Sequence, residues 1–513
     1  MFSTDDTIVA IATPPGRAGL GVIRISGPEA QAVATRLLTR RDPLRAREAT
    51  LTHARDLTGD NWPSAHVMRS EDARSERATP EEISPSPVVP QIVASGDERS
   101  EPAQSIPAID QVVATLFPAP HSYTGEDVVE LAAHGSPILL ERIVASALRA
   151  GARLAAPGEF TLRAFLHGRV DLVQAEAVAD LIDAVTPAQA RQAFDQLEGT
   201  LTRAMKQIGE SLFDLVVKLE ASLDFPDEGY HFIVPDEVSA ALAIIKAQVD
   251  ALLASARQGR VIREGRQVAI VGGTNVGKSS LFNSFVGADR AIVTEIAGTT
   301  RDLLTERCDV GGIPITLVDT AGIRETEEIV EREGVQRARA AAQTADLVLV
   351  VLDRSRPLSE QDRTYIDAAG ARRLIVINKV DLPAAWSIDD LASIDDVNLR
   401  VREGVISAFG PALDISVRTG MGMDRLRDTI ATTLVGDERL RDTVGVSNVR
   451  HIELLERVSE ALERARTGAA AGAPEEFVLA DIREAIEALE EITGKRSSDD
   501  VLHAIFSRFC IGK

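Results

Sequence analysis

Residues 272–279 read Gly-Gly-Thr-Asn-Val-Gly-Lys-Ser, a G-x-x-x-x-G-K-S pattern. Glycines at these spacings let backbone N–H groups turn inward around phosphate oxygens. A helix opening right after the loop adds partial positive charge there. Lys278 is placed to reach β- and γ-phosphates, and Ser279 to offer a hydroxyl to Mg²⁺. Asn275, Val276, Gly277 and Ser280 complete the cradle. Two shorter motifs follow in order, Asp319-Thr320-Ala321-Gly322 and Asn378-Lys379-Val380-Asp381. Asp319 can hold Mg²⁺ through water, and the Gly322 N–H can sense a γ-phosphate. The Asp381 carboxylate can accept both N1–H and N2–H₂ of guanine. Adenine lacks that donor pair and would leave the carboxylate buried and unpaired. Ser416-Val417-Arg418 can close over the base. The set points to GTP over ATP. Position 323 is Ile, where many switch GTPases carry a water-orienting Gln. Another polar group must orient water, and Glu325, Glu327, Glu328, Glu331 and Glu333 follow.

These motifs need strand ends to stand on. Residues 268–271, 315–318, 374–377 and 413–415 read as short apolar strands, and 280–285 as the start of a helix. Each motif then falls at a strand end, which defines a P-loop α/β GTPase domain. Before it, residues 171–258 are rich in Ala and Leu at helical spacing, with Pro187, Pro226 and Pro235 marking helix boundaries. After it, 447–513 is helical again, so a helical domain is split in sequence by the inserted α/β domain. The first zone mixes strand-like runs at 22–25, 111–117 and 128–131 with a helix over 137–150, an α+β pattern.

Two stretches stand apart. Residues 64–107 hold six of the 23 prolines, eight serines, eight acidic residues and no aromatic. Such a stretch cannot bury enough apolar surface to offset its ordering entropy. It reads as a disordered insertion, either a regulatory tail or a tolerated surface loop. Residues 257–266 carry four Arg against one Glu, either a basic contact strip or a solvated linker.

Composition bounds the function. The 513 residues suggest three domains at about 100–200 residues each. With 56 Lys and Arg against 78 Asp and Glu, the formal charge is −22. No global field draws this chain to nucleic acid or anionic lipid, so such contact needs a local basic patch or a partner's surface. Cys308 and Cys510 are the two cysteines, too few for a disulfide scaffold or zinc ribbon. They fit a reducing compartment. The start shows no basic n-region, and no run of about 18 apolar residues occurs, so the expectation is a cytoplasmic protein with no membrane span.

The segment Gly298-Thr299-Thr300-Arg301-Asp302, with 319–322 and 378–381, resembles the translation-factor-class GTPases that include Era, Der and MnmE. Residues 6–27, 121–130 and 157–183 and the ending Phe509-Cys510-Ile511-Gly512-Lys513 resemble the MnmE (TrmE) family of tRNA uridine-modification GTPases. The likeness covers the chain outside 64–107. It implies a multidomain α+β fold: an N-terminal α+β tetrahydrofolate-binding and dimerisation domain over 1–165, a helical domain over 166–262 and 438–513, and a Ras-like P-loop GTPase domain over 263–437. It implies a homodimer working with the flavoprotein MnmG in a heterotetramer-type complex. Their product is a (carboxymethyl)aminomethyl group on carbon 5 of the wobble uridine of certain tRNAs. G domains of the family dimerise across K⁺ when GTP is bound, which activates hydrolysis.

The resemblance also implies residue roles. Asn275 matches a K⁺ ligand, with carbonyls of Thr294 and Ile296 from the loop Thr294-Glu295-Ile296-Ala297-Gly298, and Thr299 as a further candidate. Thr300 matches the switch Thr that binds Mg²⁺, and Glu331 the catalytic Glu that orients water through a second water. Arg301 and Asp302 either cross the G-domain dimer or are exposed ion-pair residues. Arg24, Glu130 and Arg169 align with contacts to 5-formyl-tetrahydrofolate or a related one-carbon folate, and Lys513 with folate or substrate. Arg169 stands where Lys also occurs in the family. Cys510 is either a nucleophile for uracil carbon 6 or a small hydrophobe near the chain end; Cys308 is core. The family's P-loop usually has Pro where Thr274 stands, a change that spares its backbone donors. The alternative is an Era-like ribosome-assembly switch. Against it, 447–513 shows no G-x-x-G loop in a basic context. A Der-like protein would need a second P-loop, and the sequence has none.

Overall fold

The computed structural model describes residues 5–40, 42–58, 107–224, 233–288, 304–319, 339–340, 343–370, 372–387, 390, 412–435 and 445–513. The chain divides into two compact units, Met1–Arg169 with Phe506–Lys513, and Val170–Ile505. Of the insertion expected at 64–107, only Pro107 lies within the described residues.

The first unit holds β1 (Ile8–Ile11), β2 (Gly21–Ser26), β3 (Thr50–Arg55), β4 (Ala108–Phe117), β5 (Val128–Ala133) and β6 (Arg153–Leu154). They form one sheet in the order β3-β4-β5-β2-β1-β6, antiparallel throughout except between β1 and β6. Period-two alternation turns Val112, Ala114 and Leu116 of β4 inward and Val113 outward. Two helices, α1 (Ala30–Leu37) and α2 (Pro137–Arg149), cover one face. Their Val33, Leu37, Leu140 and Ile143 join Ile23, Ile25, Val129 and Leu131 in one apolar cluster. Each such enclosed side chain contributes about 1.5–3 kcal/mol. On another helix, α3 (Glu159–Leu166), Phe160 packs with Ile8, Ala10 and Ala155. Arg163 of α3 is fully enclosed, and its charge is met by Asp6, Glu126 and Glu159 at 2.6, 3.1 and 3.0 Å. Removing Arg163 would leave the nearly buried Glu126 and Glu159 carboxylates short of counter-charge.

The last eight residues, Phe506–Lys513, pack with the first unit. The Phe506 ring lies 6.4 Å from Phe165 and 5.5 Å from Phe509. Ile511 bridges to Pro157, and the Phe160 N–H donates to the Lys513 carbonyl at 3.2 Å. Gly158 (φ +69°) makes this approach possible, because a Cβ there would stand 2.5 Å from the Phe506 carbonyl oxygen.

The second unit begins with α4 (Leu172–Ile182), α5 (Pro187–Leu197), α6 (Thr200–Asp224) and α7 (Pro235–Glu264). Capping boxes, Asp171 with Gln174 and Thr186 with Gln189, start α4 and α5. The inserted α/β body follows: β7 (Arg266–Val271), α8 (Lys278–Ala288), β8 (Leu304–Val310), β9 (Ile313–Asp319), β10 (Leu347–Asp353), α9 (Glu360–Ala368), β11 (Arg373–Asn378), β12 (Leu413–Asp414) and α10 (Met423–Val435). Its sheet runs β12-β11-β10-β7-β9-β8, parallel except between β8 and β9. Both faces are covered, so β10 is buried at every position. Val268 and Ile270 join the cluster of Leu281, Phe285 and Ile430, while Ala269 and Val271 join that of Tyr365 and Ile366.

The chain then returns to α11 (Val449–Ala470), α12 (Glu475–Thr493) and α13 (Asp499–Phe506). Leu212, Leu242, Val249, Leu455, Leu462 and Ile482 share one core, uniting helices from before and after the insertion. By length and composition α7 is the one described helix that could cross a membrane. Its Val238, Leu242, Ile245 and Val249 are enclosed in this core. Both crossings between the bodies lie by α7. It ends at Gly265 (φ +74°), beside the Pro314 carbonyl, and β7 starts at once. The returning chain passes Gly259, where a Cβ would collide with the Val446 carbonyl. Gln192 and Gln196 donate to the Gly445 carbonyl at 3.3 Å each.

Residues 257–266 do not form a linker. They are the last turns of α7 and the first residue of β7. Arg260 pairs with Glu264 at 2.8 Å, Arg263 with Asp180 at 2.8 Å and Arg266 with Asp346 at 3.5 Å.

A buried polar cluster ties α4 to α11. Glu176 meets Arg450 at 2.9 Å and His451 at 2.7 Å. Burial pushes the Glu176 carboxyl up, but hydrogen bonds from His451 and Arg450 and the Arg450 charge outweigh it and bring it down to about 2. Burial holds the fully enclosed His451 below its usual 6.5 and neutral, against the pull of Glu176. Its Nε2–H is therefore assigned as donor to Glu176, which leaves Nδ1 as the acceptor without a hydrogen-bond partner. Both shifts are depressions, so the unfolded chain binds more protons in acid. The His451 contribution is lost as pH falls through 6.5, and that of Glu176 as pH falls from 4.5 toward about 2. Glu176→Gln should lower the melting temperature at neutral pH and weaken its fall below pH 4.5 relative to wild type. Parallel pH profiles for the two proteins would contradict this.

Candidate functional site

The phosphate loop leaves β7 at Val271 and enters α8 at Lys278. Two glycines in it are required by close approach. A Cβ on Gly272 (φ +147°) would meet the Val351 carbonyl, and one on Gly277 (φ +103°) the side-chain amide of Asn378. Lys278 Nζ donates to the carbonyls of Gly272 at 3.0 Å and Gly273 at 2.7 Å, so its amine lies within the curl of the loop. Ser279 and Ser280 follow in the first turn of α8, both exposed. Asn275 stands exposed at the tip with φ +59°.

Residues at the C-terminal ends of β10, β11 and β12 buttress this loop, the usual ligand side of a parallel sheet. Asn378 Nδ2 donates to the Val276 carbonyl at 2.9 Å, and Asn378 Oδ1 accepts from Val417 N–H at 3.2 Å. Lys379 Nζ donates to the Asn275 carbonyl at 2.8 Å. Ser416 Oγ donates to Asp381 Oδ1 at 2.7 Å and accepts from Thr419 N–H at 3.2 Å. This fixes the carboxylate's orientation and leaves its other oxygen for a base. Arg418 is exposed beside it. The structure thus assembles 275–280, 378–381 and 416–418 as one site. Asp319 ends β9, paired with Ile270 of β7. Thr294, Glu295, Ile296, Ala297, Gly298, Thr299, Thr300, Arg301, Asp302, Thr320, Ala321, Gly322, Ile323 and Glu331 lie outside the described residues. Sequence reasoning missed Asp353, which ends β10 and accepts from Lys379 at 2.7 Å. Its one signal was a carboxylate closing an otherwise apolar run.

The donor set fits a nucleotide with a divalent cation. A cradle that excludes Cβ atoms, a lysine amine and a serine hydroxyl at a helix N-terminus suit phosphate and Mg²⁺. Among the described residues no cluster of three or more His, Cys, Asp or Glu could hold a metal.

A second group forms in the first unit. Arg24 and Glu130 are directly opposed on β2 and β5, with Nε to Oε1 at 2.9 Å. The Arg24 guanidinium lies 4.9 Å from the centre of the Tyr123 ring and 5.7 Å from that of Phe160. Lys513 belongs with them: burial, then the Arg24 charge, push its amine below the usual lysine range. The Cys510 carbonyl accepts from the Lys513 N–H at 3.3 Å, and Cys510 is exposed. Arg169 is exposed, its stem against Gly125, and no described contact joins its charge to this group. Cys308 is buried in the α/β core as expected.

Two family models match the chain, the MnmE helical domain over residues 172–510 and the GTP-binding protein TrmE N-terminus over 7–169. The tRNA modification GTPase MnmE of Koribacter versatilis is 41% identical over 514 residues, covering 100% of both chains. That of Levilactobacillus brevis is 38% identical over 512 residues, covering 99% of this chain and 98% of its own. Among solved structures, the GTPase Era with MgGDPNP and a 16S ribosomal RNA fragment is 26% identical. It covers 38% of this chain and 66% of its own, with a TM-score of 0.25, too low to decide anything about this chain.

Proposed function

The chain belongs to the MnmE (TrmE) family of tRNA modification GTPases, and from that premise we propose a K⁺-activated GTPase acting on the wobble uridine of tRNA. GTP is hydrolysed to GDP and phosphate. With the flavoprotein MnmG, the homodimer installs a (carboxymethyl)aminomethyl group on carbon 5 of that uridine in the cytoplasm. The observation that carries the nucleotide reading is the Ser416–Asp381 hydrogen bond beside the Asn378–Val276 bond, which ties a guanine-accepting carboxylate to the phosphate loop.

The roles follow from the chemistry of the donors. Lys278 neutralises charge on the β- and γ-phosphates, and α8 presents its first N–H groups to them. Ser279 and Thr300 hold Mg²⁺, with Asp319 acting through water. Asn275, with the carbonyls of Thr294 and Ile296, holds K⁺, and Thr299 adds to that set. A cation there supplies the positive charge that an arginine finger supplies elsewhere. Glu331 orients the attacking water, which Ile323 cannot do. Arg24, Glu130 and Lys513 hold a folate, with Arg169 at the rim. The Tyr123 and Phe160 rings over the Arg24 guanidinium support a planar ligand there. Cys510 is read as the nucleophile at uracil carbon 6, a reading its exposure supports. The exposed Leu51–Val113 pair on the first sheet supports self-association.

GTP turnover in KCl should exceed that in NaCl at least tenfold, the lower end of what a charge-supplying finger contributes being about 10³. Equal, slow rates in both salts would sink the K⁺ reading. Calorimetric affinity for 5-formyl-tetrahydrofolate should fall at least about tenfold in Arg24→Ala and in Glu130→Ala, the loss of one charged contact. Unchanged affinity in both would place the folate elsewhere.

A further inference from the structure

Asp353 closes a strand whose every residue is buried, and its own side chain is 6% exposed. A carboxylate so placed is costly unless its oxygens are satisfied. Both are. Oδ1 accepts from Ser355 N–H at 2.9 Å and Ser355 Oγ at 2.6 Å. Oδ2 accepts from Lys379 Nζ at 2.7 Å. Trp386 Nε1 donates to the Asp353 carbonyl at 2.9 Å and fixes the strand end. Burial pushes the carboxyl up, but Lys379 and Ser355 outweigh it and hold it below the usual range, so it is charged at neutral pH.

The same lysine amine reaches the phosphate loop. Lys379 Nζ lies 2.8 Å from the Asn275 carbonyl. Lys379 (φ +66°) and Asn275 (φ +59°) are the two non-glycine residues with left-handed backbone among the described residues of the second unit. Such a conformation is strained and persists where its surroundings over-determine it. Here the two are joined by one hydrogen bond, and the donor is anchored by one buried carboxylate. An ammonium held only by a carbonyl is free to swing on a flexible stem. Held by a charged carboxylate as well, it has a fixed place.

We infer that Asp353 is a positioning residue: it anchors the Lys379 amine, and through it sets the left-handed turn at Asn275 that shapes the nucleotide cradle. Asp353 lies outside both motifs that the lysine joins, one opening at the end of β11 and one after β7. Its effect on K⁺ rests on the reading of Asn275 as a K⁺ ligand; its effect on nucleotide affinity does not.

The test uses the full-length protein and three variants. Asp353→Asn removes the anchoring charge. Ser355→Ala removes the hydroxyl bond that helps aim it and keeps the main-chain N–H bond. Trp386→Phe removes only the bond to the main chain. Equilibrium binding of fluorescent methylanthraniloyl-GDP, the KCl concentration for half-maximal GTP turnover, and the melting temperature are measured for each. Asp353→Asn should weaken GDP affinity at least fivefold and raise the half-activating KCl concentration. Ser355→Ala should shift both in the same direction by a smaller factor, and it carries the test should Asp353→Asn fail to fold. Trp386→Phe should lower the melting temperature and leave GDP affinity unchanged. If Asp353→Asn and Ser355→Ala bind GDP as wild type does, or if all three variants lose affinity only in step with their melting temperatures, the inference is overturned. A wild type indifferent to KCl would end the K⁺ reading alone, and the GDP measurement would still decide the role of Asp353.

Discussion

A loop that wraps phosphate must point its N–H groups inward, and its carbonyls must then find other donors. Here three side chains supply them. Lys278 takes the carbonyls of Gly272 and Gly273, Lys379 that of Asn275, and Asn378 that of Val276. Two of the three donors stand at the end of β11 and just beyond it, about a hundred residues along the chain. The phosphate loop is therefore shaped only when β10 pairs in register with both neighbours, Leu347–Val350 with Val268–Val271 of β7 and Val348–Asp353 with Arg373–Asn378 of β11. On the proposed reading, base recognition and phosphate binding share one framework, because Asn378 also accepts from Val417 next to Ser416 and Asp381.

The insertion of this body into a helical domain works for a simple reason. The chain leaves the helices at the end of α7 and comes back beside the same helix at Gly259. Inserted segments with neighbouring ends cost the host little closure entropy. The price is paid in special residues, Gly265 and Gly259, where backbones touch. The Glu176–Arg450–His451 cluster then closes the helical core across the gap in sequence. Asp180 on the same helix as Glu176 holds Arg263, two residues before the exit glycine.

Much of this was legible because some chemistry is local. The Gly-Lys-Ser spacing, the carboxylate at Asp381 and the strand before each motif were readable from neighbouring residues, and the structure brings them together. What was not legible depended on distant partners. Arg263 and Arg266 read as linker or strip because their carboxylates, Asp180 and Asp346, lie far off in sequence. The tail from Phe506 read as helix because its pull comes from Phe165 and Gly158. Asp353 is one aspartate among many until Lys379 is seen on it. His451, one of eight histidines without a motif, proves to be fully enclosed. Arg24 and Glu130 were named by resemblance, and only strand register shows them face to face.

The formal charge of −22 makes local cationic work at the phosphates the centre of the account, and the carboxylate proposed to read guanine, Asp381, is its sharpest point. The direct measurement is equilibrium binding of GTP and XTP to wild type and Asp381→Asn. An asparagine there offers a donor to the carbonyl that xanthine carries in place of guanine's amine. Wild type should favour GTP, and Asp381→Asn should lose GTP by at least about a hundredfold while gaining XTP, since a site with unmatched buried polar groups rejects its ligand strongly. GTP and XTP affinities left unchanged by Asp381→Asn would contradict the account.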